Sequence, residues 1–276
     1  MATKTLSENI NQAISDFNGI KQAIIDKGVQ VPSGTPTSQY GDKIGEIQSG
    51  GGDTTAKDMI ERKVTSITVP SGVTTIGNYA FSSWSTLTSI ILHEGITSIG
   101  DYAFGYCQNL ELTSLPESIT YIGKLAFNNC KKISLTSLPN GITDIGSEVF
   151  RDCISLKLKY LPNDLKTIPS YIFYGCTNLG LTSLPDKING ISYYAFYSCK
   201  KISLTSLPAP ITTINNYAFG YCTNLKTITF LGKPNTIATS AFNGCTNLTS
   251  ITCPWAEGEV SGAPWGATNA TITYTG

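Results

Sequence analysis

A chain of 276 residues with nineteen basic and nineteen acidic side chains carries no net charge, and only 14% of it is charged. That balance argues against nucleic acid, another polyanion or an anionic membrane as the main partner. Nothing approaches 18 consecutive apolar residues, so no membrane insertion is expected, and the start, MATKTLSENINQ, lacks the apolar stretch of a secretory signal.

Residues 1–30 read as a helix with marked ends. Thr5 and Glu8 form a capping-box pattern, and Gly28 follows Lys27 where the helix should stop. Between them Leu6, Ile10, Ala13, Phe17, Ile20 and Ile24 alternate spacings of four and three, the seam of a coiled coil. Three heptads of this composition predict a homo-oligomer, a dimer or a trimer; the alternative is a face that packs on the next helix or on the end of the following domain. Residues 31–52 hold Pro32 in extended chain, then Thr35 and Pro36 as the cap and first position of a short helix to Ile47. Ser49-Gly50-Gly51-Gly52 reads as a flexible linker.

Asp53 to Arg62 predicts one more helical turn, leading into a strand over Val64 to Val69. From there one pattern repeats every 23 residues without insertion or deletion, closing on Cys107, Cys130, Cys153, Cys176, Cys199, Cys222 and Cys245, with Trp84 in the same slot one period earlier. Phe81, Phe104, Phe127, Phe150, Phe173, Phe196, Phe219 and Phe242 form a second column. Ile76, Ile99, Ile122, Ile145, Ile168, Ile191, Ile214 and Ile237 form a third, and Val69, Leu92, Leu115, Leu138, Leu161, Leu184, Leu207 and Phe230 a fourth. A fixed period in the twenties is the mark of a solenoid in which each coil buries its apolar side on the next. Each coil is predicted to hold a strand, a Pro or Gly turn, an extended piece ending in the Ile column, and a helical turn carrying Ala-Phe. Repeats three to seven read L-x-L-x-x-L-P instead of L-x-x-I-x-L, which predicts a bulge or bend there.

The seven column cysteines share one inward slot, and that regularity argues against metal pairs and against a disulfide framework. They read as reduced core residues. Cys253 falls in the Leu-before-Pro slot of a partial ninth strand, LTSITCP. The ending, 255–276, drops the period and reads as a carboxy-terminal cap with Trp255, Trp265 and an alternating strand from Thr271 to Tyr274. The fold expected is therefore an α/β solenoid over 53–254, with eight repeats plus a partial ninth strand, preceded by an amino-terminal helical module.

The repeated I-T-S-I-G-D-Y-A-F-x-x-C-x-N-L, followed by L-P or I-x-V-P, resembles the bacterial surface-antigen (BspA-like) class of leucine-rich repeats from Val64 to Pro254. The stretch IKQAIIDKGVQVPSGTPTSQYGDKI resembles amino-terminal segments of tail-associated proteins of phages and prophages of Gram-positive bacteria, and the ending CPWAEGEVSGAPWGATNATITY, with the uniform CTNLxLTSLP coils, resembles leucine-rich-repeat proteins of such phages. This resemblance implies a virion protein made in the host cytoplasm, whose amino-terminal module docks to a tail or baseplate protein while the repeats meet a host cell-surface glycan or protein. A bacterial surface adhesin and a purely structural virion component are the alternatives.

No residues are spaced for catalysis or cofactor binding. His93, the only histidine, falls in a turn column, and Glu111, Asp144, Asp152 and Asp186 fall in different columns, so no carboxylate pair of the kind glycoside hydrolysis needs is evident. Two surface features remain. Thr113-Ser114, Thr136-Ser137, Thr182-Ser183 and Thr205-Ser206 predict hydroxyl ladders whose members bond one another. Tyrosines cluster around Ala-Phe: Tyr102 with Tyr106 and Tyr217 with Tyr221 are i,i+4 pairs that a helical turn would present together, and Tyr171, Tyr174, Tyr194 and Tyr197 extend the same edge. These eight are the candidate ligand-binding residues, offering flat faces to sugar rings and a polar tip; packing between coils is the competing explanation.

Overall fold

A computed structural model describes residues 64–69 and 71–276. The amino-terminal helix with its seam from Leu6 to Ile24, the short helix and the linker lie outside the described residues.

The repeats wind into a parallel β-solenoid of about nine turns, and among the described residues there is no helix. One set of strands ends in the isoleucine column: β2 (Thr75–Ile76), β4 (Ser98–Ile99), β5 (Tyr121–Ile122), β6 (Asp144–Ile145), β7 (Thr167–Ile168), β8 (Gly190–Ile191), β10 (Thr213–Ile214) and β12 (Thr236–Ile237). A second set lies in the leucine column: β1 (Ser66–Thr68), β3 (Ser89–Ile91), β9 (Ser206–Leu207), β11 (Thr227–Phe230), β13 (Ser250–Cys253) and β14 (Thr271–Tyr274). Every pairing is parallel, and up to β13 each residue lies opposite its equivalent 23 positions on. The Phe and Ile columns are buried along their whole length, and the eight phenylalanine rings stack with centroids 5.2–5.9 Å apart.

The segment expected as a helical turn is a different structure. In most coils the residues two before and two after Phe are left-handed, among them Tyr102, Tyr106, Tyr171, Tyr194, Tyr217 and Tyr221, with φ between 53° and 64°. The backbone N–H groups consequently alternate in direction. In coil 6, those of Tyr194, Phe196 and Ser198 donate to the next coil at Asn216, Ala218 and Gly220, at 2.7–3.1 Å, while those of Ala195, Tyr197 and Cys199 turn back to Ser192, Tyr194 and Phe196. A helix would spend every N–H inside its own turn; here half of them tie the stack together.

The ladders are not continuous. In coils 3 to 6 the leucine column contains no strand, and only one or two backbone bonds per coil remain there, such as Ser134 N–H to Leu112 O at 2.9 Å. These are coils with the L-x-L-x-x-L-P pattern. The isoleucine ladder is also split, between β6 and β7. In the other coils the residue after Ile donates to the preceding Ile carbonyl, as Gly146 does to Ile122 and Ser192 to Ile168. Pro169 occupies that slot in coil 5 and has no N–H to give. The phenylalanine spacing is widest at the same junction, 5.9 Å between Phe150 and Phe173.

The cysteine column has a polar role beyond filling space. Each thiol from Cys107 to Cys245 donates to the carbonyl of a phenylalanine 26 residues earlier, at 2.9–3.1 Å. Burial pushes the thiol pKa of Cys130, Cys153, Cys176, Cys199, Cys222 and Cys245 upward, that of Cys245 to about 12, and that of Cys253 to about 11.

The ending does not leave the stack. Phe242 N–H donates to Trp265 O as earlier phenylalanines donate to the next coil, and the Asn269 amide reaches Thr246 O as Asn247 reaches Thr223 O. β14 pairs in parallel with β13, Ser250 lying opposite Thr271. The last coil is shortened, which hides its period in the sequence. Trp255 and Trp265 pack edge-on against Phe230 and each other and close the core.

Candidate interaction surface

The left-handed turns project side chains outward at the coil spacing, so residues in one column become neighbours in space. Six of the eight candidate tyrosines gather into one strip across coils 5 to 7. Tyr171, Tyr194 and Tyr217 form one file, stacked at 4.9 and 5.1 Å within 13° of parallel. Tyr174 and Tyr197 form a second, at 4.8 Å and 5°, and Tyr221 meets Tyr197 edge-on at 5.2 Å. Tilted contacts of 5.5–6.5 Å join the two files. Burial and then the neighbouring phenols raise the pKa of Tyr194 and Tyr197 above the ordinary tyrosine value.

Tyr102 and Tyr106 stand apart from this strip. Tyr102 stacks on Tyr79 at 4.8 Å, and Tyr106 is exposed. Leu125 and Glu148 occupy the intervening positions of the first file. Neither expected i,i+4 pair is presented by a helix: the two members flank Phe in left-handed turns, and Tyr217 stacks on Tyr194 in the neighbouring coil.

Sequence reasoning missed three groups that shape the strip. The Arg151 guanidinium, from coil 4, lies over the rings of Tyr171 and Tyr174 at 5.7 and 5.1 Å. Its hydrogen bond to Glu148, at 2.8 Å, is the main reason its pKa rises further, and Asp152 lies 3.6 Å away. Arg151 shares a column with Tyr174 and Tyr197, one coil earlier, so the period did carry this signal. The other two groups are glycines: a methyl group at Gly220 would lie 2.8 Å from Tyr197 Cδ2, and one at Gly244 would lie 2.7 Å from Tyr221 Cδ1. Each glycine is the seat on which a tyrosine of the preceding coil rests.

The serine-threonine ladder does not form as expected. The hydroxyls of Thr113-Ser114, Thr136-Ser137, Thr182-Ser183 and Thr205-Ser206 make no hydrogen bond among the described residues, and nearly all of these side chains are exposed. The hydroxyl bonds instead use strand-flanking threonines, with Thr88 reaching Thr65 O at 2.9 Å and Thr212 reaching Asn189 O at 3.0 Å. His93 Nδ1 accepts from Gly95 N–H within its turn, and Glu111 pairs with Lys132. Among the described residues no group of His, Cys, Asp or Glu is placed to hold a metal ion, and no helix is long and apolar enough to cross a membrane.

The family model of the BspA type leucine rich repeat region matches residues 60–179 and 144–260, in six copies. The chain belongs to this family. A leucine-rich repeat protein of Bacteroides ovatus ATCC 8483 shares the fold, with a TM-score of 0.53 at 23% identity over 78% of this chain and 61% of that one. A leucine rich cell surface protein of Faecalibacterium prausnitzii A2-165 matches at 0.49 and 24% identity, over 79% and 65% of the two chains. The T. pallidum leucine rich repeat protein matches at 0.48 and 26%, over 67% and 78%. The chain thus spans less than two thirds of the Bacteroides and Faecalibacterium proteins. No curated protein matches it.

Proposed function

We propose that this BspA-type repeat protein is a non-enzymatic attachment protein of a phage tail or baseplate. Its amino-terminal module docks to a tail protein or holds the chain in a dimer or trimer, and its solenoid holds a glycan or protein of the host cell surface. The observation that carries the binding role is the tyrosine strip. Six half-buried or exposed phenols are gathered on the outside of a stack whose core is complete without them. Tyrosines at such density are typical of recognition surfaces. A left-handed backbone position costs a non-glycine residue roughly 1–2 kcal/mol, so four of the six, at left-handed positions, occupy places where glycine would be cheaper.

The phage assignment rests on the likeness of the amino-terminal stretch to phage tail-associated proteins and of the carboxy-terminal stretch and uniform coils to leucine-rich-repeat proteins of such phages. Its test is the composition and adsorption of purified virions. The chain should copurify with the particle, and deletion of residues 64–276 should leave particles that assemble but no longer adsorb to the host. Absence from the particle would end the phage reading; undiminished adsorption would end the attachment reading.

A further inference from the structure

The zero net charge of the chain conceals a segregation. From each closing Cys to the next leucine-column residue the coils present one side, and among the described residues that side carries seven lysines and a single acid, Glu111. The remaining sides carry five basic and ten acidic residues. Lys132 pairs with Glu111 at 3.2 Å. Lys131, Lys157, Lys159, Lys200, Lys201 and Lys226 are exposed and meet no carboxylate among the described residues. Residues of one column lie one above another, so these ammonium groups form a track along the stack from coil 4 to coil 8, roughly 19 Å long at about 4.8 Å per coil. A line of unopposed like charges makes the potential along it positive, and that attracts an anionic partner.

What lies between the lysines is hydroxyl rather than hydrocarbon. Thr136-Ser137, Thr182-Ser183 and Thr205-Ser206 share two columns with Lys159-Tyr160, and their hydroxyls form no hydrogen bond among the described residues. Each is left to donate and to accept. Ile154 and Tyr160 are the large apolar side chains exposed along the track, and Tyr160, at 64% exposure, stacks on no other ring among the described residues. A protein interface has an apolar centre, and a lipid surface takes up an apolar face; this side offers neither. Single-stranded nucleic acid stacks its bases on successive aromatics, and here one ring stands alone. A glycan bearing anionic groups fits all three features: the ammonium groups meet its charges, the free hydroxyls meet its hydroxyls, and the open ring of Tyr160 meets the face of a sugar. We infer that the lysine side of coils 4 to 8 binds an acidic polysaccharide of the host cell surface, laid along the stack. The inference rests on the proposed attachment role, narrows its ligand from glycan or protein to acidic glycan, and sets it on columns separate from those of the tyrosine strip.

The test uses the full chain and intact host cells. Lys157→Ser, Lys159→Thr, Lys200→Thr and Lys201→Asn are combined, because those residue types already stand in the same columns one coil earlier, at Ser134, Thr136, Thr177 and Asn178. The control removes equal charge from other sides by combining Lys124→Ser, Lys166→Thr, Lys187→Ser and Lys233→Ser, whose columns already hold Ser147, Thr143 and Ser118. Circular dichroism and continued protection of the thiols report that both variants fold. Binding of the labelled chain is competed with the acidic and the neutral fractions of deproteinised host polysaccharide, and with poly-L-glutamate, which carries the charge without the hydroxyls. The acidic fraction alone should compete. The four-lysine variant should bind about tenfold more weakly, the sum of several exposed charge contacts, while the control binds as the unmodified chain does. Rising salt should weaken the unmodified chain more steeply than the four-lysine variant. Competition by anything other than the acidic fraction alone, full binding by the folded four-lysine variant, or an equal loss in the control overturns the inference and leaves the attachment role standing. Failure of the unmodified chain to bind any host cell removes the attachment role and the inference with it.

Discussion

Replacing neutral conditions with alkaline ones should unfold this solenoid through its cysteine column. The thiols of Cys130, Cys153, Cys176, Cys199, Cys222 and Cys245 are buried, and burial raises each thiol pKa above its ordinary value of 9.0. The native chain therefore keeps these protons to higher pH than the unfolded chain does. Their contribution is complete below pH 9 and is lost as pH rises from there towards the folded values. Per thiol the loss is about 0.4 kcal/mol at pH 9 and about 1.4 kcal/mol at pH 10. For the six together it reaches about 2.5 and about 8.5 kcal/mol, against a typical total stability of about 5–15 kcal/mol. Guanidinium unfolding followed by circular dichroism at pH 7, 9 and 10 should show this fall, and iodoacetamide should label none of the six at pH 8 until the chain unfolds. Cys176→Ala with Cys199→Ala should remove about 3 kcal/mol of the loss at pH 10. Unchanged stability from pH 7 to 10, or rapid labelling of the native chain at pH 8, would refute the reasoning.

Three further perturbations probe packing, the strip and the split ladder. Phe173→Ala empties a fully buried ring site and should cost about 3–5 kcal/mol, read as a lower midpoint in denaturant; a cost below about 1 kcal/mol would mean that coils 4 and 5 collapse onto the gap. Gly220→Ala should leave the thiols protected but turn Tyr197 off its seat, seen as a changed tyrosine environment in near-ultraviolet circular dichroism. In hydrogen exchange, the amides donated across the junction of coils 4 and 5, those of Glu148, Phe150 and Asp152, should exchange faster than their counterparts Tyr194, Phe196 and Ser198; equal rates would mean that Pro169 leaves no weak point.

The period and the core were legible because every buried column repeats at one spacing, and side chains 23 residues apart do meet. The turn around Ala-Phe was misread for a physical reason. Alternating right- and left-handed residues leave no apolar periodicity to distinguish them from a helical turn, and tyrosine at a left-handed position is not a residue that announces φ above zero. The ending was legible as a closing segment with a strand from Thr271 to Tyr274, but not as one more coil, because that coil is short and Trp265 and Asn269 no longer fall together on the 23-residue grid. The face-to-face stacking of the tyrosine files depends on ring orientation, which no spacing in a sequence contains. The seats at Gly220 and Gly244 stand in columns that glycine shares with serine, asparagine and tyrosine. Only the contact explains them.

Since each junction from coil 1 to coil 7 is tied by the same three crossing N–H groups in the same columns, a coil is a unit of length that a gene can add or delete without re-solving the core. Gain or loss of 23 residues between Val64 and Cys153 would carry the tyrosine strip outward or inward by one strand spacing, about 4.8 Å, and rotate nothing within it. Duplication within coils 5 to 7 would instead lengthen the strip. Reach and grip can thus vary independently in this architecture, through the same kind of genetic step taken at two different places.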